Sequence, residues 1–292
     1  MRSQFEYLRP STPQEAVSMK DDHGDKAMFW AGGTDMMLHW QRQKYHPEFC
    51  IDLTRLDNIG DINVEADKIT IGALVSLTDL ENSSDRHHLL ATLSTVTKLM
   101  CTPQTRTIAT VGGNMCNASP AADLSPVFVA TGAEAVIFGS SGERRVSMFD
   151  FFEDVNKTAL RGGEMLKEIV IPLPQERQIA ASYRRIDRTV VDIALVNAST
   201  ALTVDGDNTI TMAVVALGAV APVIVRSDAA GAGLIGKVVS DVDDGALTAA
   251  GEAAAADAKP ISDVRASADY RRDMVKVMVR RSLSDCIEQL KG

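Results

Sequence analysis

Two glycine pairs stand directly behind short apolar runs, in FWAGGTD (29–35) and IATVGGNMCN (108–117). A Gly-Gly turn can direct successive backbone N–H groups into one concavity, and the missing side chains let a ligand come close. Short polar groups follow each pair: Thr34 and Asp35 after the first, Asn114, Asn117, Ser119 and Asp123 after the second, with Thr110 just before it. A diphosphate carries two charged groups, and two such turns converging would cradle both. Neither pair matches the dinucleotide fingerprint Gly-x-Gly-x-x-Gly or the P-loop. Taken singly, each reads more readily as a tight turn than as a ligand site.

The elements around these turns must position them. STPQEAVSMK begins a helix, with Ser11 or Thr12 as cap, Pro13 in the first turn and Glu15 returning to the cap. A strand at 27–31 leads through the first glycine pair into an amphipathic helical pattern, and FCIDLTRL gives another strand and a turn near Asn58. KITIG at 68–72 is a strand, and Ser76 or Thr78 caps the helix after it. HHLLATLSTVTKLM has helical apolar spacing. After the second pair, a helix stopping near Gly132, a strand at 134–138 and a hairpin partner at 143–146 are expected, then a strand in MLKEIVIPLP closed by Pro172 and Pro174. From 178 the pattern becomes strands followed by an Ala-rich helix and a long amphipathic C-terminal helix, an α+β arrangement with an antiparallel sheet.

Composition narrows the function. A net charge of −9 argues against non-specific nucleic-acid binding, which relies on Lys and Arg neutralising phosphates. No apolar run approaches the ~20 residues that span a bilayer, and MRSQFEYLRPSTPQEA lacks a signal-peptide core, so a cytoplasmic location is expected. The four cysteines, Cys50, Cys101, Cys116 and Cys286, form no Cys-x-x-Cys pair and read as packing residues. His39, His87 and His88 have no acidic or Cys partners at ligand spacing, so no metal site is expected.

Taken together, AGGTD, PQTRTIATVGGNMCNASPAADLSP, VVDIALVNAS, ALGAVAPVIVRS and DVRASADYRRDMVKVMVRRSL resemble the FAD-binding medium subunit of molybdenum hydroxylases, the xanthine dehydrogenase and aerobic carbon monoxide dehydrogenase family. The resemblance covers nearly the whole chain. It implies a two-part FAD-binding domain of the vanillyl-alcohol-oxidase type over 1–176, with subdomains about 1–57 and 58–176, then an α+β C-terminal domain over 177–292. It implies that Ala31, Gly32, Gly33, Thr34 and Asp35 wrap the FAD diphosphate, with Phe29 and Trp30 leading in. Thr110, Gly112, Gly113 and Asn114 would form a second phosphate loop, braced by Gln104 and Arg106. Asn117 and Asp123 would hold the ribityl, ribose or adenine side, although Asp123 equally reads as a helix N-cap. Leu166 and Arg184 would lie against the adenine or the flavin ring, Arg184 as a cation at the N1–C2=O edge. Tyr183 would cover one flavin face or be a buried strand aromatic, and Arg184 is alternatively a surface residue of the RRIDR run.

The resemblance further implies non-covalent FAD, with molybdopterin and [2Fe–2S] clusters on separate large and small partner subunits in a dimer of heterotrimers. Electrons would pass from those clusters to this FAD and on to NAD⁺ or another acceptor. The Cys-rich loop of the 4-hydroxybenzoyl-CoA reductases is absent from the sequence, and Thr-Asp after the first glycine pair is nearer the purine and heterocycle dehydrogenases than the Ala-Gly-Gly-His-Ser of the carbon monoxide branch. Two alternatives stand beside this one: a stand-alone FAD-dependent oxidase, which would need its own substrate-facing base, and a flavin-free scaffold subunit, whose glycine turns would bind nothing.

Overall fold

A computed structural model describes residues 4–175 and 178–291. The expected junction at 176/177 lies outside the described residues. The first unit runs β1 (Glu6–Leu8), α1 (Pro13–His23), β2 (Ala27–Trp30), α2 (Thr34–Gln41) and β3 (Phe49–Asp52), with a parallel sheet in the order β1-β3-β2. The capping expectation for α1 is met: the Thr12 hydroxyl accepts from the Glu15 N–H at 3.1 Å, and the Glu15 carboxylate accepts from the Ser11 N–H at 2.6 Å.

The second unit contains β4 (Ile62–Val64), β5 (Lys68–Gly72), α3 (Leu77–Glu81), α4 (His88–Leu99), α5 (Pro103–Arg106), α6 (Val111–Asn117), α7 (Leu124–Ala130), β6 (Glu134–Gly139), β7 (Gly142–Ser147), α8 (Met148–Phe151), β8 (Phe152–Asp154), β9 (Lys157–Thr158) and β10 (Met165–Pro172). Its antiparallel sheet is ordered β4-β5-β10-β6-β7, and Ile69, Ile71, Ile137, Ile169 and Ile171 of β5, β6 and β10 form its floor with Leu89, Leu90, Leu93 and Phe128 from the covering helices. Ser76 caps α3, and Gly132 at φ +68° ends α7, both as the sequence suggests.

The third unit contains β11 (Gln178–Ile186), β12 (Val196–Val204), β13 (Ile210–Gly218), β14 (Val225–Arg226), α9 (Asp228–Ala232), α10 (Asp244–Asp257) and α11 (Ala268–Lys291). Its sheet is antiparallel in chain order, and both faces are covered. Ala180, Ala198, Leu202, Val215 and Leu217 pack under α10 and α11, whereas Ile179, Ala181, Tyr183, Ala201 and Ala216 join the core of the second unit. The strand period of two thus puts odd residues of β11 toward the second unit and even ones toward α11. The fold is mixed helix and sheet, a two-part body followed by an α+β C-terminal unit, as expected. No helix among the described residues is long and apolar enough to cross a membrane.

Candidate functional site

The first glycine pair is shaped by close packing. A Cβ on Gly32 would lie 1.8 Å from the Ile108 carbonyl oxygen, and Gly33 takes a left-handed φ of +68° with the Trp30 indole 2.6 Å from where its Cβ would be. The turn therefore sits on the backbone that leads into the second glycine pair. From Gly32 to Met36 the N–H groups have no acceptor among the described residues; the first intrahelical bond of α2 is Met37 N–H to Gly33 O at 2.9 Å. Five successive unpaired donors at the start of a helix are an anion-binding array.

The second pair departs from expectation. It is not an open loop but the first turn of α6. Val111 N–H donates to Val75 O at 2.9 Å, Gly112 N–H to Ala73 O at 2.8 Å, Gly113 N–H to the Thr110 hydroxyl at 3.0 Å and Asn114 N–H to Thr110 O at 3.0 Å. These donors are spent inside the protein, so this element is not a second row of free N–H groups. The physical reason is contact: Gly112 lies on Ala73, where a Cβ would come within 2.6 Å of the Ala73 Cβ. What α6 presents instead is the bare face of Gly113, against whose Cβ only the Thr110 hydroxyl would stand, and the Asn114 side chain, whose buried Oδ1 has no partner.

Asp123 stands at the N-cap of α7 but makes no capping bond. Its carboxylate accepts from the Tyr183 hydroxyl, from Arg185 Nη1 at 2.9 Å and, at 3.4 Å, from Asn197 Nδ2. Burial pushes the Asp123 carboxyl upward, opposed by the Arg185 guanidinium and the hydrogen bonds from Tyr183 and Asn197. The Tyr183 phenol is raised well above its ordinary value by burial and by the Asp123 charge. Arg185 also pairs with Asp187 at 2.5 Å, and its buried Nε has no partner.

These groups surround one cavity of about 640 Å³, within the range of small-molecule and cofactor sites. Phe29, Trp30, Ala31, Gly32, Gly33, Thr34 and Asp35 line it from the first unit. Thr110, Gly112, Gly113, Asn114, Asn117, Asp123 and Leu166 line it from the second. Two expected residues are elsewhere. Tyr183 lies beneath the cavity wall with its hydroxyl on Asp123, the buried-aromatic alternative. Arg184 points to the opposite face of β11, where Asp285 of α11 holds it at 2.6 and 2.7 Å. Adjacent residues of a strand cannot share a face, so Tyr183 and Arg184 could not both turn toward one ligand. The cation on the cavity is Arg185, which strand alternation alone would have indicated.

The sequence reading also passed over the third unit's rim. Val191, Asp192 and Ile193, between β11 and β12, line the cavity. Val191 holds φ +61°, a left-handed conformation that costs a β-branched residue of order 1–3 kcal/mol. Arg106 is buried and braces the chain, donating to Met100 O at 2.8 Å, Cys101 O at 3.0 Å and the Glu81 carboxylate at 2.7 Å; Gln104 is exposed. Its carbonyl targets lie in the turn before α5 rather than in the glycine turn. Cys50 and Cys286 are buried packing residues, but Cys101 and Cys116 line the cavity. Among the described residues no three His, Cys, Asp or Glu side chains gather to hold a metal ion.

Comparison with known proteins identifies the family. Residues 3–174 match the model of the FAD binding domain in molybdopterin dehydrogenase, and residues 181–286 that of the CO dehydrogenase flavoprotein C-terminal domain. The chain belongs to the FAD-binding medium subunits of the molybdenum hydroxylases. It is 30% identical over 280 residues to the carbon monoxide dehydrogenase medium chain of Hydrogenophaga pseudoflava, covering 96% of each. To the xanthine dehydrogenase FAD-binding subunit of Escherichia coli O157:H7 it is 26% identical over 289 residues, covering 98% of this chain and 97% of the other. The solved carbon monoxide dehydrogenase of H. pseudoflava superposes with a TM-score of 0.90 at 30% identity over 98% of both chains. Quinoline 2-oxidoreductase from Pseudomonas putida 86 gives the same TM-score at 25% identity over the full length of both. The flavoprotein is thus an oxidoreductase subunit with an FAD-binding domain, and the Thr-Asp after its first glycine pair does not by itself sort it among branches.

Proposed function

We propose that this medium subunit is an electron relay: it takes electrons from [2Fe–2S] clusters of a small partner subunit, reduced in turn by the molybdenum centre of a large one, and passes them to NAD⁺ or another acceptor. The observation that carries the reading is the row of unpaired N–H groups from Gly32 to Met36 on a cavity floored by the bare face of Gly113. Those donors fit an FAD diphosphate, and the helix start behind them adds a favourable field. Asn114 Oδ1, buried and unpartnered, supplies an acceptor for a ligand hydroxyl or N–H. Asn117, Asp123 and Leu166 line the same cavity. FAD, bound without a covalent link, supplies one-electron uptake and two-electron release. The protein's residues bind it, fix its orientation and set its electrostatics. Arg185, anchored between Asp123 and Asp187, brings a positive charge to the wall whatever the pH, because guanidinium stays protonated.

In this reading residues 1–176 and 177–292 act as FAD-binding and C-terminal domains, the assembly is a dimer of heterotrimers, and the complex works in the cytoplasm. The test is to purify the chain with its native partners, record the visible spectrum and analyse what acid precipitation releases. FAD in the supernatant, with iron–sulfur and molybdenum in stoichiometric amounts, is the expected result. A colourless complex that stays colourless after FAD is added would refute it.

A further inference from the structure

Behind the cavity wall stand two buried polar side chains that do not line it. Asp123 lines the cavity; Tyr183 and Asn197, on β11 and β12, are buried and stay outside its lining. Both nonetheless donate to Asp123 Oδ1, the Tyr183 hydroxyl and Asn197 Nδ2, while Arg185 Nη1 donates to Oδ2 at 2.9 Å. Asn197 is a costly residue for its place, because its own Oδ1 is buried without a partner. The sheet makes room for it. Arg185, Asn197 and Gly218 are register partners across β11, β12 and β13, and a Cβ on Gly218 would lie 2.2 Å from Asn197 Oδ1. An apolar side chain would fill the same space without orphaning an oxygen. What the amide adds is its N–H to Asp123.

A carboxylate offers about four lone-pair directions. Tyr183, Asn197 and Arg185 take three of them, all from the third unit, and hold both oxygens so that the group cannot turn. One direction is left on a residue that borders the cavity. Burial by itself favours the neutral acid, whose own O–H would seek an acceptor; the Arg185 charge and the bonds from Tyr183 and Asn197 oppose this. The Tyr183 phenol, raised well above its ordinary value, keeps its proton and so remains a donor.

We propose that Tyr183 and Asn197 are positioning residues: acting through Asp123, they leave one acceptor direction of its carboxylate for a ribityl or ribose hydroxyl of the bound cofactor. This rests on the FAD reading.

The parent complex with its native partners is first assayed for flavin; a complex without it refutes the FAD reading itself, before any variant is made. The full chain, freed of FAD, is then titrated by fluorescence with FAD and with analogues each lacking one ribityl or ribose hydroxyl. One analogue is expected to bind the parent at least about tenfold more weakly than FAD, the loss of one hydrogen bond to a charged group. Whether that analogue is altered in the ribityl chain or the ribose tells which hydroxyl Asp123 receives. Tyr183→Phe should weaken FAD by a similar factor and should bind FAD and that analogue within about twofold of each other. Asn197→Ala should act in the same direction but less, since its bond is longer, at 3.4 Å. In an Asp123→Asn chain, adding Tyr183→Phe should cost less than about twofold in FAD affinity, because the residue it acts through is gone. A merely structural Tyr183 would weaken all ligands alike and in both backgrounds, and that result overturns the proposal. So does unchanged FAD binding by Tyr183→Phe, or a parent that binds every analogue as tightly as FAD. Should Asp123→Asn fail to fold, the analogue series decides alone.

Discussion

Gly32→Ala is the sharpest perturbation of the site. The added methyl would stand 1.8 Å from the Ile108 carbonyl oxygen and 2.7 Å from its carbon. Both are backbone atoms of a segment pinned by Ile108 N–H and Ala109 N–H on Thr105 O, at 3.1 and 2.9 Å, so no side chain can swing away. Overpacking of this kind costs about 1–3 kcal/mol. At ~2–4 °C per kcal/mol for a chain near this size, the melting temperature should fall by roughly 2–12 °C. The same shift moves the N–H row, and losing one hydrogen bond to a charged phosphate costs about 1.5–3 kcal/mol, a roughly 10- to 150-fold loss of FAD affinity. Gly113→Ala separates the two effects. Its methyl would meet only the Thr110 hydroxyl, at 2.9 Å. The helical gain of ~0.5–1 kcal/mol over Gly is set against a weakened cap of about 1 kcal/mol. Stability should stay near the parent while the methyl projects into the cavity and FAD affinity falls. The assay is thermal unfolding of the FAD-free chain together with a fluorescence titration of FAD. A Gly32→Ala chain that melts and binds like the parent would refute the close-approach reasoning, and a Gly113→Ala chain that binds FAD normally would remove α6 from the site.

Arg185→Met should destabilise the FAD-free chain by about 3–5 kcal/mol, because it leaves Asp123 charged and buried, whereas Arg185→Met with Asp123→Asn should recover most of that loss in denaturant titrations. Thr110→Ala removes the hydroxyl that caps Gly113 and should cost about 1 kcal/mol in the same assay. The Asp263 carboxyl is held well below its usual range by the backbone N–H groups of Arg265 and Ala266 and by Arg271 and Arg265. Its contribution is therefore present above the ordinary carboxylate pKa and lost as pH falls below about 4. Asp263→Asn should flatten the acid side of the pH–stability curve, and an unchanged acid limb would count against the clamp. Saturating the chain with FAD at 100 times its Kd should stabilise it by about 2.7 kcal/mol, read as a rise in melting temperature, and the same FAD concentration should stabilise a Gly32→Ala chain by only about 0.3–1.4 kcal/mol.

Much of the fold was legible because its signals are local. The Thr12–Pro13–Glu15 start, the Gly132 stop and the period-two runs in 68–72 and 134–138 each fix an element without reference to the rest of the chain. The first glycine pair was legible for the same reason. The second was misread as a loop because α6 consists of weak helix formers, and what makes it helical is tertiary: Val75 O, Ala73 O and the close seat of Gly112 on Ala73. Arg184 was placed by resemblance one residue away from the side chain that reaches the cavity, an error that the alternation of Ile179, Ala181 and Tyr183 could have prevented. The lip at 190–193 carried no signal, since Thr-Val-Val-Asp-Ile reads as an ordinary strand and only the ordering of three units brings it to the cavity.

That ordering has a consequence for biosynthesis. The cavity takes walls from all three units, and the Ile108 carbonyl fills the space that a Gly32 side chain would need. Among the described residues, no single unit supplies the whole lining of this cavity. Cofactor insertion must follow the meeting of chain segments more than seventy residues apart, and the nascent chain should pass through a colourless, closed-up stage before it becomes yellow. The cofactor then acts as a late clasp across all three units, so flavin content reports on completed maturation rather than on the presence of the polypeptide.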